Sequence, residues 1–211
     1  MPTKPPPLPR KAPRQARSQA TVGAILDATA RVLVERGYAA TNTNLVAERA
    51  GVSVGSLYQY FPNKDALIRA LHERHMQQMY EVIGRSLCVG AGLPMEQALT
   101  LAIEGLVESH RIDAGLHRVL ETQVTALQLA DAHERFEADL NEQLCALLRK
   151  FQAELRVENL RLAAYVLMHA VHGLVHAVVH QRPGGVSLKQ ATREIVRLTR
   201  AYLTAPLDAP A

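Results

Sequence analysis

The chain has 211 residues, 48% of them apolar, with 24 Lys+Arg against 20 Asp+Glu, nine aromatics among six Tyr and three Phe, and no Trp. That is enough chain for one helical domain of ordinary size plus a small head with a real core, and two cysteines exclude a disulfide framework and a cysteine-based zinc site. Charge is uneven: residues 1 to 65 hold nine Lys/Arg against four Asp/Glu, and residues 66 to 211 hold fifteen against sixteen, so the first third is the part suited to a polyanion.

The opening segment, MPTKPPPLPRKAPRQAR, is rich in proline and basic side chains and contains no acid. It cannot bury enough apolar surface to order itself and reads as a disordered basic arm. It lacks the apolar run of a secretory signal, so the expected location is cytoplasmic. Lys4, Arg10, Lys11, Arg14 and Arg17 suit it to following a phosphate backbone or entering a minor groove; a solvated tail has the same composition. A first helix is predicted from about Arg17 to Gly37. Val22, Ile25, Leu26, Thr29 and Leu33 share one face, and Gly37 is its stop.

The most specific stretch is Thr41 to Leu67, TNTNLVAERAGVSVGSLYQYFPNKDAL. Val46, Ala47 and Ala50 give one short helical pattern an apolar edge, Gly51 breaks it, and Leu57, Tyr58 and Phe61 give a second pattern its edge. Ala47 lets two helices cross closely, and Gly51 supplies the positive φ of a tight turn. Ser53 is placed to cap the second helix. Pro62 ends that helix near Tyr60 or Phe61, and Asn63 caps a new helix beginning at Lys64. This is a helix-turn-helix. Its second helix, about two turns long, has no stability of its own and is expected to be held in place to present its outer face. Val54, Gly55, Ser56, Gln59, Tyr60 and Lys64 lie on that face without a carboxylate. Small, hydroxyl, amide and cationic groups match the base edges and phosphates of DNA. An ordinary αα-hairpin with a polar face is the rival, disfavoured by the aromatic pair, the proline stop and the lysine.

The run AERAGVSVGSLYQYFPNKDAL resembles the DNA-binding signature of the TetR (tetracycline-repressor-like) transcriptional regulators. The resemblance implies an all-α homodimer. It would have an N-terminal three-helix helix-turn-helix head and a C-terminal helical bundle domain that binds a small effector and releases the operator, with the dimer formed through the last two helices. Matched residue by residue, Thr43, Ser56, Tyr58, Tyr60 and Lys64 stand where the family holds phosphates. Asn44, Val54, Gly55 and Gln59 stand where it faces base edges. Leu45 departs from the usual polar or charged residue and is expected to be exposed and harmless. The expected division is an arm over 1–16, a DNA-binding domain over 17–63, an effector-binding and dimerisation domain over 64–205, and a tail over 206–211.

Beyond Leu67 the pattern stays helical. A connecting helix is predicted from about Lys64 to Leu87, then a loop from Cys88 to Pro94. Pro94 to Arg111 follows with Met95, Leu99, Ile103 and Leu106 as its stripe, then a shorter piece from Ala114 to Leu129. Asp131 to Leu155 carries Phe136, Leu140, Leu144, Leu147, Leu148 and Phe151. Residues 158 to 181 are apolar nearly all round and are expected to be buried on most sides; RPGG stops them. The last helix, about Ser187 to Thr204, puts Leu188, Ala191, Ile195, Leu198 and Tyr202 on one face. Two such helices from each of two subunits make a four-helix bundle. Four histidines and the lack of an aromatic belt argue against a membrane span.

His169, His172, His176 and His180 fall in one stripe less than a quarter-turn wide. They are read as amphipathic filler at a dimer seam, bonded to backbone or water; a metal shared by His172 and His176, or pH sensing, are the sharper alternatives. No Asp, Glu or Cys lies between Asn159 and Lys189, and no metal is assigned. Cys88 and Cys145 read as buried, inert thiols. Glu104, Glu108, His110, His117 and Gln123 read as solvent-facing. Effector-pocket residues stay unassigned within about 95 to 180, where a mostly aliphatic pocket is the default.

No nucleophile elbow, phosphate-binding glycine loop or metalloprotease helix motif is present. Neither an enzyme nor a cofactor is expected. The reading is a DNA-binding transcriptional regulator, a repressor that binds a pseudo-palindromic operator in double-stranded DNA as a homodimer and is released by a small-molecule effector. Beside it stands a regulator or activator whose C-terminal domain only dimerises or docks a partner. An enzyme domain behind a decorative head is the third reading.

Overall fold

The structure, a computed structural model, describes residues 16–121, 130–181 and 184–206, and every regular element among them is a helix. In chain order these are α1 (Ala16–Ala40), α2 (Thr43–Ala50), α3 (Val54–Tyr60), α4 (Lys64–Gly90), α5 (Met95–Arg111), α6 (Ala114–Glu121), α7 (Ala130–Lys150), α8 (Leu160–Gln181) and α9 (Leu188–Thr204). The basic arm lies outside the described residues, as do residues 122 to 129, which include Gln123 and the second half of the piece expected to reach Leu129. The chain packs as two compact units. Residues up to Met76 join Asp113–His133 in the first, and Gln77–Ile112 join the chain from Glu134 onward in the second.

In the first unit, Ile25, Leu26, Ala28, Val32 and Leu33 of α1 meet Val46 and Ala47 of α2, Leu57 of α3, Phe61, and Leu67, Ile68 and Leu71 of α4. Thr29 is fully buried on the same face because its hydroxyl donates to the Ile25 carbonyl at 2.7 Å, which satisfies the polar group inside the helix. The stop expected at Gly37 is present: its φ of 72° and ψ of 173° interrupt α1, and the three residues beyond form a separate terminal turn. Leu116 and Leu120 of α6 complete this core. They come from some eighty residues downstream of α1, and no local pattern announces that contact.

The second unit is built from the end of α4 with α5, α7, α8 and α9 around Ile83, Leu87, Leu99, Ile103, Leu148, Leu167, Val171, Val175, Ile195 and Leu203. Two predicted boundaries move. The loop expected over Cys88 to Pro94 starts later, because α4 continues to Gly90. Gly90 packs where an added Cβ would meet the Ala98 backbone at 3.4 Å. The helix expected to reach Leu155 ends at Lys150 and passes into turns with i to i+3 bonds, such as Phe151 N–H to Leu148 and Glu154 N–H to Phe151. Phe151 and Leu155 stay buried, so apolar spacing persisted where helical hydrogen bonding did not.

Two burial expectations are also corrected. Cys88 is exposed, whereas Cys145 is buried as expected. His110 and His117, read as solvent-facing, are buried, unlike Glu104 and Glu108. The helix α8 is long and apolar enough to cross a membrane, with mean hydropathy 1.7. It buries only one side: Ala163, Ala164, Leu167, Val171 and Val175 face the core. Leu162 and Tyr165 are 57% and 52% exposed, with Val166 and Leu174 beside them. On α9 the expected apolar face divides likewise, Ile195 inside and Leu198 and Tyr202 outside at 52% and 40%.

Candidate nucleic-acid interface

The turn between α2 and α3 is made by three local devices. Asn42 caps α2, its side chain accepting from the Leu45 N–H at 2.9 Å. Gly51 takes φ 67° and ψ 29° and its N–H bonds the Ala47 and Glu48 carbonyls, while Val52 N–H reaches Ala47 O at 3.0 Å. That pair of bonds closes a helix through a left-handed residue, which a Cβ disfavours. Ser53 then caps α3, accepting from the Ser56 N–H at 3.0 Å. Phe61 ends α3 in the extended region before Pro62, and the Asn63 side chain accepts from Ala66 N–H at 2.9 Å to start α4. Every cap read from the sequence is present. Asn42 was missed, although an Asn directly before a helical pattern is a recognised start signal.

This packing fixes which face of α3 looks outward. Leu57 and Phe61 are buried, whereas Val54, Gly55, Tyr58 and Gln59 are exposed. Tyr58, assigned to the apolar edge, therefore belongs to the outer face. Asn44 is exposed at the start of α2. Leu45, expected to be exposed, is half-buried against the core of the first unit. Its side chain is used in packing the short α2, which accounts for a leucine at that position.

Of the residues read as phosphate holders, Thr43 and Tyr58 come together, and Ser56, Tyr60 and Lys64 each bond a different neighbour. Thr43 Oγ1 and the Tyr58 hydroxyl share a hydrogen bond of 3.0 Å on the exposed surface, joining the start of α2 to the second half of α3. Ser56 Oγ lies 2.8 Å from Ser53 Oγ. Tyr60 is half-buried, its hydroxyl 3.3 Å from Ser18 Oγ near the start of α1. Lys64 Nζ donates to the Tyr38 carbonyl at 3.1 Å and sits 4.0 Å from the centroid of the Tyr38 ring, so its charge is positioned by hydrogen bonding and by the ring face together. The Tyr38 hydroxyl in turn donates to Asp65 Oδ1 at 2.6 Å. Burial, reinforced by the Asp65 bond and charge, pushes that phenol up to about 12.

Two ion pairs lie on the rest of the head. Arg49 meets Glu35 in a two-pronged contact at 3.0 and 3.3 Å that ties α2 to α1. The bond and charge of Arg49 hold the Glu35 carboxyl below its ordinary range. Arg74 meets Asp27 at 2.8 Å. From Asn42 to Lys64 the sole acid is Glu48. The result is a small outward surface of hydroxyl, amide, methyl and ammonium groups on a braced helix pair, chemistry that fits base edges and phosphates.

Comparison with known proteins agrees in both parts of the chain. Residues 25–71 match the family model "Bacterial regulatory proteins, tetR family", and residues 94–203 match "Tetracyclin repressor-like, C-terminal domain". A fatty acid metabolism regulator protein of Bacillus subtilis is 28% identical over 118 residues, covering 56% of this chain and 57% of that one. The transcriptional repressor KstR of Mycolicibacterium smegmatis is 38% identical over 73 residues, 35% of each chain. The matches thus span about a third to just over half the length of these relatives. The crystal structure of a TetR-family regulator from Mesorhizobium loti superposes with a TM-score of 0.71 at 19% identity, over 89% of this chain and 97% of the other. With its helix-turn-helix and both halves of the family pattern in place, this chain belongs to the TetR family of bacterial transcriptional regulators.

Proposed function

We propose that the protein is a cytoplasmic repressor that binds a pseudo-palindromic operator as a homodimer, one α3 per half-site in the major groove, and leaves it when a small molecule fills the second unit. The observation that carries the DNA part is the exposed α3 face, Val54, Gly55, Tyr58 and Gln59, flanked by the Thr43–Tyr58 hydroxyl pair and the tethered Lys64. In this reading Asn44, Val54, Gly55 and Gln59 read base edges, and Thr43, Ser56, Tyr58, Tyr60 and Lys64 hold phosphates. The apolar stripe of Leu162, Tyr165, Val166 and Leu174 on α8, with Leu198 and Tyr202 on α9, supports pairing through the last two helices. Burying it removes apolar area from water.

For release, an effector must bind more tightly to a state in which α4 has shifted, and it moves the equilibrium only by that difference in affinity. Two heads then lose the spacing of about 34–36 Å between successive major grooves. The reading is tested by selecting purified protein on random-sequence duplex DNA at two salt concentrations. Recovery of one pseudo-palindrome is the expected result, and it provides the probe for an effector screen by release. Binding without sequence preference overturns the operator reading. Specific binding that no small molecule relieves points to a regulator or activator whose second unit only dimerises or docks a partner.

A further inference from the structure

Lys64 carries its charge where a helix disfavours one. It is the first residue of α4, a helix of 27 residues, and the N-terminal end of a helix bears partial positive charge. Among the described residues no carboxylate pairs with its ammonium, although an acid, Asp65, follows it directly. Arg49 and Arg74 of the same unit provide the contrast, for each meets a carboxylate, Glu35 and Asp27 respectively. A cation kept at a helix start and left unneutralised is available to an anion from outside.

Tyr38 supplies what holds Lys64 instead. It lies in the terminal turn beyond the break at Gly37, half-buried against the core of the first unit. Its carbonyl has two lone pairs, and both are used: one accepts from the Thr41 N–H at 3.2 Å and the other from Lys64 Nζ at 3.1 Å. Its ring lies under the same ammonium, 4.0 Å from centroid to nitrogen. Its hydroxyl donates to Asp65 Oδ1 at 2.6 Å, which fixes the ring and engages the neighbouring acid. An ammonium has three N–H donors, so one is spent on Tyr38 and two are left. Carbonyl and ring orient the cation without cancelling its charge, whereas a carboxylate in their place would cancel it and repel a phosphate. Lysine is among the side chains with the most rotamer freedom to lose, and this one is already held. Packing alone accounts for a half-buried aromatic at Tyr38, but not for an ammonium seated on its ring with no counter-charge.

We propose that Tyr38 is the positioning residue for a phosphate contact made by Lys64, its ring and carbonyl setting the ammonium in place before DNA arrives. The proposal rests on the reading of Lys64 as a phosphate holder. Phosphate contacts carry no sequence information, so the probe is a duplex of random sequence at low salt, and no operator is needed. Four full-length proteins are compared for affinity: the unaltered chain, Tyr38→Leu, Lys64→Ala and the two changes together. Tyr38→Leu is expected to weaken binding about two- to fivefold per protomer, the fold-change to which the attraction of a partly exposed cation–ring pair corresponds, and to add nothing in the Lys64→Ala background. Tyr38→Phe, which keeps ring and carbonyl, is expected to retain most of the affinity. Circular dichroism checks each fold; should Tyr38→Leu fail to fold, Tyr38→Met, whose flexible side chain fills irregular gaps, is held to the same outcomes. A loss that persists in full without Lys64 overturns the proposal and leaves Tyr38 a packing role. So does Tyr38→Leu binding as tightly as the unaltered chain, or Tyr38→Phe binding as weakly as Tyr38→Leu. Unchanged binding by Lys64→Ala removes the phosphate contact and the proposal with it. Failure to recover a preferred sequence defeats the operator reading alone, because this comparison uses none.

Discussion

Gly105 tests the packing of the second unit most sharply. A Cβ built there stands 2.6 Å from the Ser86 Cβ and closer still to Ser86 Oγ, whereas carbon atoms pack comfortably at about 3.5–4.0 Å. The hydroxyl can swing away at the expense of its bond to the Val82 carbonyl. The Cβ cannot, so in Gly105→Ala the α4 and α5 backbones must part by about 1 Å. Overpacking of this kind costs about 1–3 kcal/mol, against a helix-propensity gain for Gly to Ala of about 1 kcal/mol, which leaves a net loss of up to about 2 kcal/mol. Ser86→Gly alone loses about 0.5 kcal/mol of propensity but removes both obstructing atoms. The pair together is therefore expected to be more stable than the sum of the singles by about 2 kcal/mol. Urea unfolding of the four proteins, followed by circular dichroism at one fixed protomer concentration, measures the coupling. A Gly105→Ala protein that unfolds well above the wild-type midpoint, or single effects that simply add, refutes the close approach of these helices.

Gly55 has open space around its Cα, the nearest atom to an added Cβ being Ser53 Oγ at 3.9 Å. Gly55→Ala should keep or raise the melting temperature and lower operator affinity; unchanged affinity removes Gly55 from the interface. Lys64→Ala should weaken binding to all sequences and reduce the salt slope by about one phosphate contact, whereas Gln59→Ala should alter preference among sequences, and repeated selection at two salts separates the two. His75 is buried beside His117, at 3.2 Å between ring nitrogens. Burial, then the charge of His117, pushes its pKa down from 6.5 to about 4. The unfolded chain thus binds the proton first, and stability present above pH 6.5 is lost as pH falls toward 4. Between pH 7 and pH 5 the loss is about 2 kcal/mol. Replacing His75 with Leu should flatten that part of the stability profile, and an equal slope in the variant assigns the loss elsewhere.

The helix-turn-helix was legible because its punctuation is local. Gly51, Ser53, Pro62 and Asn63 each fix the backbone within four residues of themselves, and each does so in the structure. What stayed hidden depends on partners distant in the chain. His110 read as a polar group on an exposed face, and only α8, some sixty residues on, gives its ring neighbours. The Thr43–Tyr58 and Ser18–Tyr60 contacts span 15 and 42 residues, so the resemblance could nominate three of those side chains without showing that they brace one another. Leu45 and Tyr58 were misplaced for a different reason. In helices of 8 and 7 residues an apolar stripe has too few members to define its own direction.

The uncovered strip of Leu162, Tyr165, Val166 and Leu174 bears on the life of the chain in a cell as well as on its assembly. On the proposed pairing, a lone protomer carries that strip into water, where chaperones and proteases recognise exposed apolar surface, and its survival would follow the fraction of copies that have found a mate. Scarce transcripts then yield chains that are cleared quickly, and abundant ones yield chains that persist. Cellular copy number should thus respond more steeply than in proportion to synthesis.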